Sequence, residues 1–219
     1  MPDRQPGGSA GDRPRLLRLA LRLVSVSVVF GVLSGIISVT SGLRDHSRGV
    51  LAIGLGVLAD VTGSAILIWR FRAEQRHPGS SGMQEKRAAA VVALALASVA
   101  VLLAEQSSAA LASGSRPGTS GIALAAAGIS LAVLTPLAYA KRRLGRRMES
   151  RALQGDGALS GIGAATSLLA LAALVLYDTL GWWQADRIAA LVVAAIAAVE
   201  AWRTTGPWRS ARSSRVRRG

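Results

Sequence analysis

One carboxylate lies at the middle of an apolar segment that is long enough to cross a membrane. Asp60 is the only charged residue between Gly49 and Trp69, and Ser64 follows it at i+4 on the same helical face. An unpaired carboxylate at that depth costs about 2.5–3.5 kcal/mol by translocon scales, so such residues are candidates for ion or proton handling. The pattern favours Asp60 as a cation- or proton-binding group. A hydrogen-bonded structural aspartate is the alternative.

A second acid, Asp156, follows a strongly basic stretch and stands at the start of another apolar segment. It lies about one turn inside the membrane edge that the basic stretch up to Arg151 marks. There it could bind a cation, cap the helix start, or pair with Arg151 or Arg203. The predicted metal-binding residues are therefore Asp60 and Asp156, with Asp60 preferred.

The remaining acids and histidines favour surface roles. Glu105, beside polar residues at the end of its apolar segment, is typical of a solvated interfacial group, and Glu200 can pair with Arg203 at i+3. We interpret four others as loop, surface or cap residues: His46, His77, Asp178 and Asp186. The chain has no cysteine, and it has none of the phosphate-cradling, zinc-protease or serine-nucleophile motifs. We expect neither an enzyme nor a resident cofactor.

Six segments of membrane length must position these residues, which predicts an all-α integral membrane bundle of six transmembrane helices. The predicted spans are Leu23–Leu43, Gly49–Trp69, Ala88–Ala104, Pro117–Ala140, Gly157–Tyr177 and Ala185–Trp202. The predicted organisation is a disordered lead over residues 1–15, a transmembrane domain over 16–203 and a disordered basic tail over 204–219. A full-length apolar segment followed by others favours a retained first span over a signal peptide.

The net charge of +14 reflects basic residues that set the orientation of the chain in the membrane. Of the 26 basic residues, 22 lie in the lead, the second loop, the fourth loop and the tail. The positive-inside rule therefore predicts that both termini are cytoplasmic. These charges would meet anionic lipid headgroups, which removes the reason to expect a nucleic-acid partner. The abundance of arginine, alanine and glycine favours a bacterial protein of the plasma membrane.

Small residues recur at the spacing that lets membrane helices approach closely. Gly31 and Gly35 form one such pair, and Gly157, Gly161 and Ala165 form a second series. These faces predict helix packing.

The sequence between Ser150 and Ala194 resembles the transmembrane domain of the cation diffusion facilitator (cation efflux) family. Ser150, Leu153 and Asp156 match an S-x-x-L-x-x-D opening of the fifth span. Later positions match a W-x-x-A-D-P-I-A-A-L-like segment, with Arg187 in place of proline: Trp183, Ala185, Asp186, Ile188, Ala189, Ala190 and Leu191. The resemblance covers about residues 20–203. It implies a transporter that exchanges a divalent metal, usually zinc, against protons.

The resemblance also implies four metal ligands, and only one of them is present. The family places two acids at i, i+4 in the second span and a histidine and an aspartate in the fifth. Here these positions fall on Gly56, Asp60, Leu159 and Gly163. Oxygen ligands favour harder cations than zinc. The family's usual cytoplasmic domain would not fit in the residues after Arg203, so any homodimer would form through membrane helices.

The leading hypothesis is a cation transporter of this type that works as a divalent cation/proton antiporter. Its substrates would be a metal ion, such as zinc, and protons. One alternative is a non-transporting degenerate relative that acts as a membrane scaffold or as a transporter's partner. Another is proton-coupled export of an organic cation through the same lone acid.

Overall fold

The computed structural model describes residues 13–44, 48–76, 81–114, 121–180 and 184–205. Six helices account for nearly all of them: α1 (Arg13–Arg44), α2 (Arg48–Arg76), α3 (Ser81–Ser113), α4 (Gly121–Arg147), α5 (Arg151–Leu180) and α6 (Gln184–Thr205). The described residues include no strand. The all-helical prediction is confirmed, and most of the predicted lead and tail lies outside the described residues.

Each helix coincides with one of the six predicted apolar segments. Three of them are long and apolar enough to cross a membrane by length and composition: Arg13–Ile37 in α1, Gly82–Ser113 in α3 and Arg187–Thr205 in α6. The multi-pass character follows from these helices. The full count of six spans and the cytoplasmic position of the termini stay predictions.

Successive helices run in opposite directions, so that the same end of the bundle collects the start of α1, α3 and α5 and the end of α2, α4 and α6. Ion pairs between these termini establish the arrangement, among them Arg13 with Glu74 and Arg70 with Glu85. We call this the basic end, because described arginines from the starts of α1 and α5 and from the ends of α2, α4 and α6 lie there. The most extensive helix contacts join α1 with α2, α4 with α5, and α3 with α6.

Among the side chains that the structure describes, the apolar core lies in the half of the bundle nearer the basic end. Leu67 and Phe71 of α2, Val92 and Leu96 of α3 and Leu153 of α5 are fully enclosed. Large apolar side chains also face outward along the bundle, as in Leu33 of α1 and Leu94 of α3. The exposed apolar side chains suit a lipid environment, whereas a water-soluble protein would bury most of them.

Glycines set the closest helix contacts, as predicted. A Cβ atom at Gly31 of α1 would lie 2.6 Å from Val61 Cγ2 of α2, and one at Gly35 would lie 3.3 Å from Val57 Cγ1. A Cβ atom at Gly157 of α5 would lie 2.8 Å from Cγ of Arg142 in α4. The absence of a side chain at these positions brings the backbones together.

A three-residue turn joins α4 to α5 and fixes how the two helices meet. Glu149 has φ 53°, and the amide of Ser150 donates to the carbonyl of Gly145 at 2.9 Å, which is a left-handed helix ending of the Schellman type. The Ser150 hydroxyl then accepts from the amide of Leu153 at 3.2 Å and caps α5. The turn therefore places the first turns of α5 against the last turns of α4.

Candidate cation site

The aspartate preferred from the sequence, Asp60, lies in α2 one turn before Ser64. Its side chain is half-buried, and its Oδ1 atom is enclosed without a hydrogen-bond partner among the described residues. Buried polar oxygens are nearly always paired, so an enclosed carboxylate oxygen without a donor marks a place for a cation, a proton or a water molecule.

The second predicted residue, Asp156, is fully buried in α5. Its Oδ2 atom lies 2.7 Å from Nζ of Lys141, and the Ser64 hydroxyl donates to its Oδ1 atom at 2.6 Å. The sequence suggested Arg151 or Arg203 as its ion-pair partner or a cap role, whereas the structure gives it Lys141. Asp156 is therefore a neutralised carboxylate, held by one cation and one hydroxyl.

The sequence predicts that Lys141 lies in the basic loop after the fourth apolar segment, whereas the structure places it in a helix. Helix α4 continues to Arg147, and Lys141 lies within it with no exposed surface. Its Nζ atom also donates to the hydroxyl of Ser160 at 3.0 Å. The available signal was its residue type, because it is the only lysine in a cluster otherwise made of arginine.

Five side chains from α2, α4 and α5 thus form one polar cluster, which we call the buried polar cluster: Asp60, Ser64, Lys141, Asp156 and Ser160. Four of them are buried, and the half-buried Asp60 lies on the same face of α2 as Ser64, whose hydroxyl contacts Asp156. With all three ionisable groups charged, the cluster carries a net charge of −1. The structure therefore brings the two sequence-predicted acids together around a lysine that the sequence did not reveal as a site residue.

The family's other ligand positions contribute no donors. Leu159 is buried, and its Cδ1 atom lies 3.3 Å from the Cβ position of Gly63 in α2. A Cβ atom at Gly163 would lie 2.8 Å from Cδ1 of Leu134 in α4. Within the described ranges, no three histidine, cysteine, aspartate or glutamate side chains are close enough to hold a metal ion together. The surroundings of Gly56 lie outside the described side chains.

A second polar network closes the basic end, and the sequence did not predict it. Arg70 is almost fully buried, with its Nε atom 2.6 Å from Glu85 Oε2 and its NH2 atom 3.4 Å from Glu74 Oε2. Glu85 also accepts from the amide of Ala152 at 3.0 Å, while Arg13 donates to Glu74 at 2.9 Å. A carboxylate at the first amides of α5 is favourable because the helix dipole is positive there. This network ties α1, α2, α3 and α5 together.

The other sequence-predicted groups have no part in the cluster. Glu105 is exposed, as expected of an interfacial residue. Glu200 lies 3.7 Å from Arg203, which confirms the predicted i+3 pair, and 3.2 Å from Arg142. Four residues fall outside the described residues or side chains: His46, His77, Asp178 and Asp186.

The comparisons with known proteins identify the family of this chain. The family model described as the cation efflux transmembrane domain matches residues 23–205. The match begins within α1, includes the other five helices completely, and contains every residue of the buried polar cluster. No match to a curated protein was found. A family match over most of the chain shows that it belongs to the cation efflux family of cation transporters.

Proposed function

We propose that the protein exchanges a divalent cation against protons, with Asp60 as the central cation-binding carboxylate and Asp156 as its partner. One observation carries the proposal. The Oδ1 atom of Asp60 is enclosed without a hydrogen-bond partner among the described residues, while Asp156 is already paired with Lys141. A cation that binds Asp60 would be coordinated by an oxygen atom that has no hydrogen-bond partner among the described residues.

Charge balance links cation binding to proton release. Charged groups in the membrane interior are costly, so neutral states of the cluster are favoured. One neutral state has a proton on Asp60 and an ion pair between Lys141 and Asp156. The other has both carboxylates on one divalent cation and an uncharged lysine amine. Passing from the first to the second releases two protons for each cation bound.

Lys141 acts in this scheme as a cation tethered to the protein. Its ammonium group lies 2.7 Å from the Asp156 carboxylate, so a metal ion and the ammonium group would compete for the same carboxylate. Ser64 donates to Asp156 from the helix that carries Asp60, and it can turn its oxygen toward an ion between the two acids. The donors are all oxygen atoms, which suit manganese or magnesium better than zinc.

Alternating access requires a barrier on each side of the site, and the structure describes one of them. Between the cluster and the basic end lie the enclosed side chains of Leu67, Phe71 and Leu153. Beyond these, the ion pair between Arg70 and Glu85 joins α2 to α3. Opening toward the basic end would separate this ion pair and move α2 against α5. We propose that this end faces the cytoplasm of a bacterial cell.

The proposal is tested by flux in proteoliposomes. Purified protein is reconstituted with a pH-sensitive dye inside, and manganese entry is measured together with the internal pH change. We expect manganese entry coupled to proton exit in the wild type and only background flux for Asp60→Asn. Glu105→Gln removes an exposed carboxylate far from the cluster and provides the matched control, which should transport normally.

The second candidate function is a non-transporting scaffold or partner of a complete transporter. The observation in its favour is that Leu159 and Gly163 stand at the family's ligand positions and that Asp156 is already neutralised. In that case the wild type and Asp60→Asn would both give background flux for every cation tested. A homodimer through membrane helices fits either function, and crosslinking in native membranes would detect it.

A further inference from the structure

A basic cleft lies at the basic end between α4, α5 and α6, separate from the buried polar cluster. Its volume is about 620 Å³, within the range of about 300–1,000 Å³ that is typical of ligand pockets. The lining residues are Arg142, Arg146, Arg151, Gln154, Gly155, Glu200, Arg203 and Thr204. The four arginines and one glutamate give the cleft a net charge of +3, which favours the binding of an anion.

Two of the four arginines that line the cleft form ion pairs with Glu200, and the other two do not. Glu200 lies 3.2 Å from Arg142 and 3.7 Å from Arg203. Arg146 and Arg151 are exposed, and neither forms an ion pair with a residue in the described part of the chain. Guanidinium groups bind phosphate oxygens in a two-pronged geometry. Two unpaired arginines opposite a shared carboxylate therefore offer two places for phosphate groups.

The position of the cleft favours a lipid over a soluble anion. It opens where α4 and α6 end and α5 begins, and Trp202, the residue before Arg203 in α6, has a side chain that is 61% exposed. Tryptophan side chains are enriched at the level of lipid headgroups. Basic pockets between membrane helices at that level bind multiply charged headgroups.

We propose that this cleft binds an anionic lipid whose headgroup carries two phosphates. Arg146 and Arg151 bind the phosphates directly. Arg142 and Arg203 form additional contacts with the headgroup, which weaken their ion pairs with Glu200. The bound lipid joins the ends of α4, α5 and α6. The inference does not depend on transport and holds for a scaffold as well.

The test measures lipid binding to the purified full chain by native mass spectrometry in mild detergent, with cardiolipin as the probe and phosphatidylcholine as the reference. A basic residue at a membrane surface contributes about fivefold to the binding of anionic lipid, so Arg146→Gln with Arg151→Gln should weaken cardiolipin binding by about 30-fold. The matched control is Arg72→Gln with Arg76→Gln, two exposed arginines of the same end outside the cleft. It should bind as the wild type does.

A variant that should bind cardiolipin more tightly separates a change at the binding site from a loss of binding caused by misfolding. Glu200→Gln raises the net charge of the cleft to +4 and releases two arginines, so it should tighten cardiolipin binding about fivefold. Equal losses in the cleft variant and the control would overturn the proposal, because binding would then follow surface charge alone. Displacement of cardiolipin by pyrophosphate at equal concentration would overturn the lipid assignment in favour of a soluble phosphate compound.

Discussion

Removing the charge of Lys141 should be among the most destabilising single changes in the chain. The ammonium group and the Asp156 carboxylate are both fully enclosed, 2.7 Å apart, and each has one further partner, Ser160 and Ser64 respectively. Lys141→Met keeps the length of the side chain and leaves Asp156 with a buried charge that only one hydroxyl stabilises. The expected result is a large loss of stability together with exposure of the cluster to water.

The size of the effect can be bounded from the geometry. At an effective dielectric constant of about 20, unit charges 2.7 Å apart attract each other by about 6 kcal/mol. Burial of the two ions offsets most of this attraction, so the intact pair adds little net stability. Breaking it from one side costs about 3–5 kcal/mol because the remaining charge stays buried. The double variant Lys141→Met with Asp156→Leu removes both charges and should unfold with a free energy within about 2 kcal/mol of the wild type.

The assay is reversible unfolding in mixed detergent micelles, followed by far-ultraviolet circular dichroism. The four variants of the cycle give a coupling free energy, which we expect to be at least about 3 kcal/mol. Arg143→Met, an exposed neighbour in α4, provides the control and should change stability by less than about 0.5 kcal/mol. Single variants as stable as the wild type, or a double variant that loses the sum of the single effects, would refute the reasoning about this pair.

Two further predictions concern the metal site and the helix packing. Leu159→His restores a nitrogen ligand one turn from Asp156, so zinc affinity measured by calorimetry on the detergent-solubilised protein should rise at least tenfold; unchanged affinity would show that this position does not face the site. Gly31→Leu forces a side chain into the 2.6 Å approach to Val61 and should destabilise the bundle by about 1–3 kcal/mol in the same unfolding assay. Gly128→Leu enters open space and should be neutral, so equal effects at Gly31 and Gly128 would contradict the packing argument.

Much of the fold could be predicted from the sequence because membrane helices obey strong local rules. A run of about 20 apolar residues has to satisfy its backbone hydrogen bonds internally, so each segment predicts a helix without knowledge of its neighbours. Gly31 and Gly35 predict a packing face because small residues at this spacing let helices approach closely. In the structure both residues lie against α2. The spacing of Glu200 and Arg203 predicted a pair within one helix, which the structure confirms.

The site was harder to predict because its contacts join distant parts of the chain. Asp60 and Asp156 could be selected from their positions in apolar segments. Lys141 was marked only by being a lysine among arginines, and a basic residue after an apolar segment usually marks the membrane edge. Its burial depends on α4 continuing to Arg147 and on Gly157 allowing a close approach of α5. Arg70 stood in a similar cluster, and its pairing with Glu85 also required the tertiary fold.

The central claim is that Asp60 binds the transported cation inside the membrane. The most direct measurement is manganese flux into proteoliposomes with simultaneous recording of internal pH, for the wild type, Asp60→Asn and Glu105→Gln. The account predicts coupled manganese and proton movement for the wild type and Glu105→Gln, and background flux for Asp60→Asn. Transport by Asp60→Asn at the wild-type rate, or background flux for all three proteins, would contradict it.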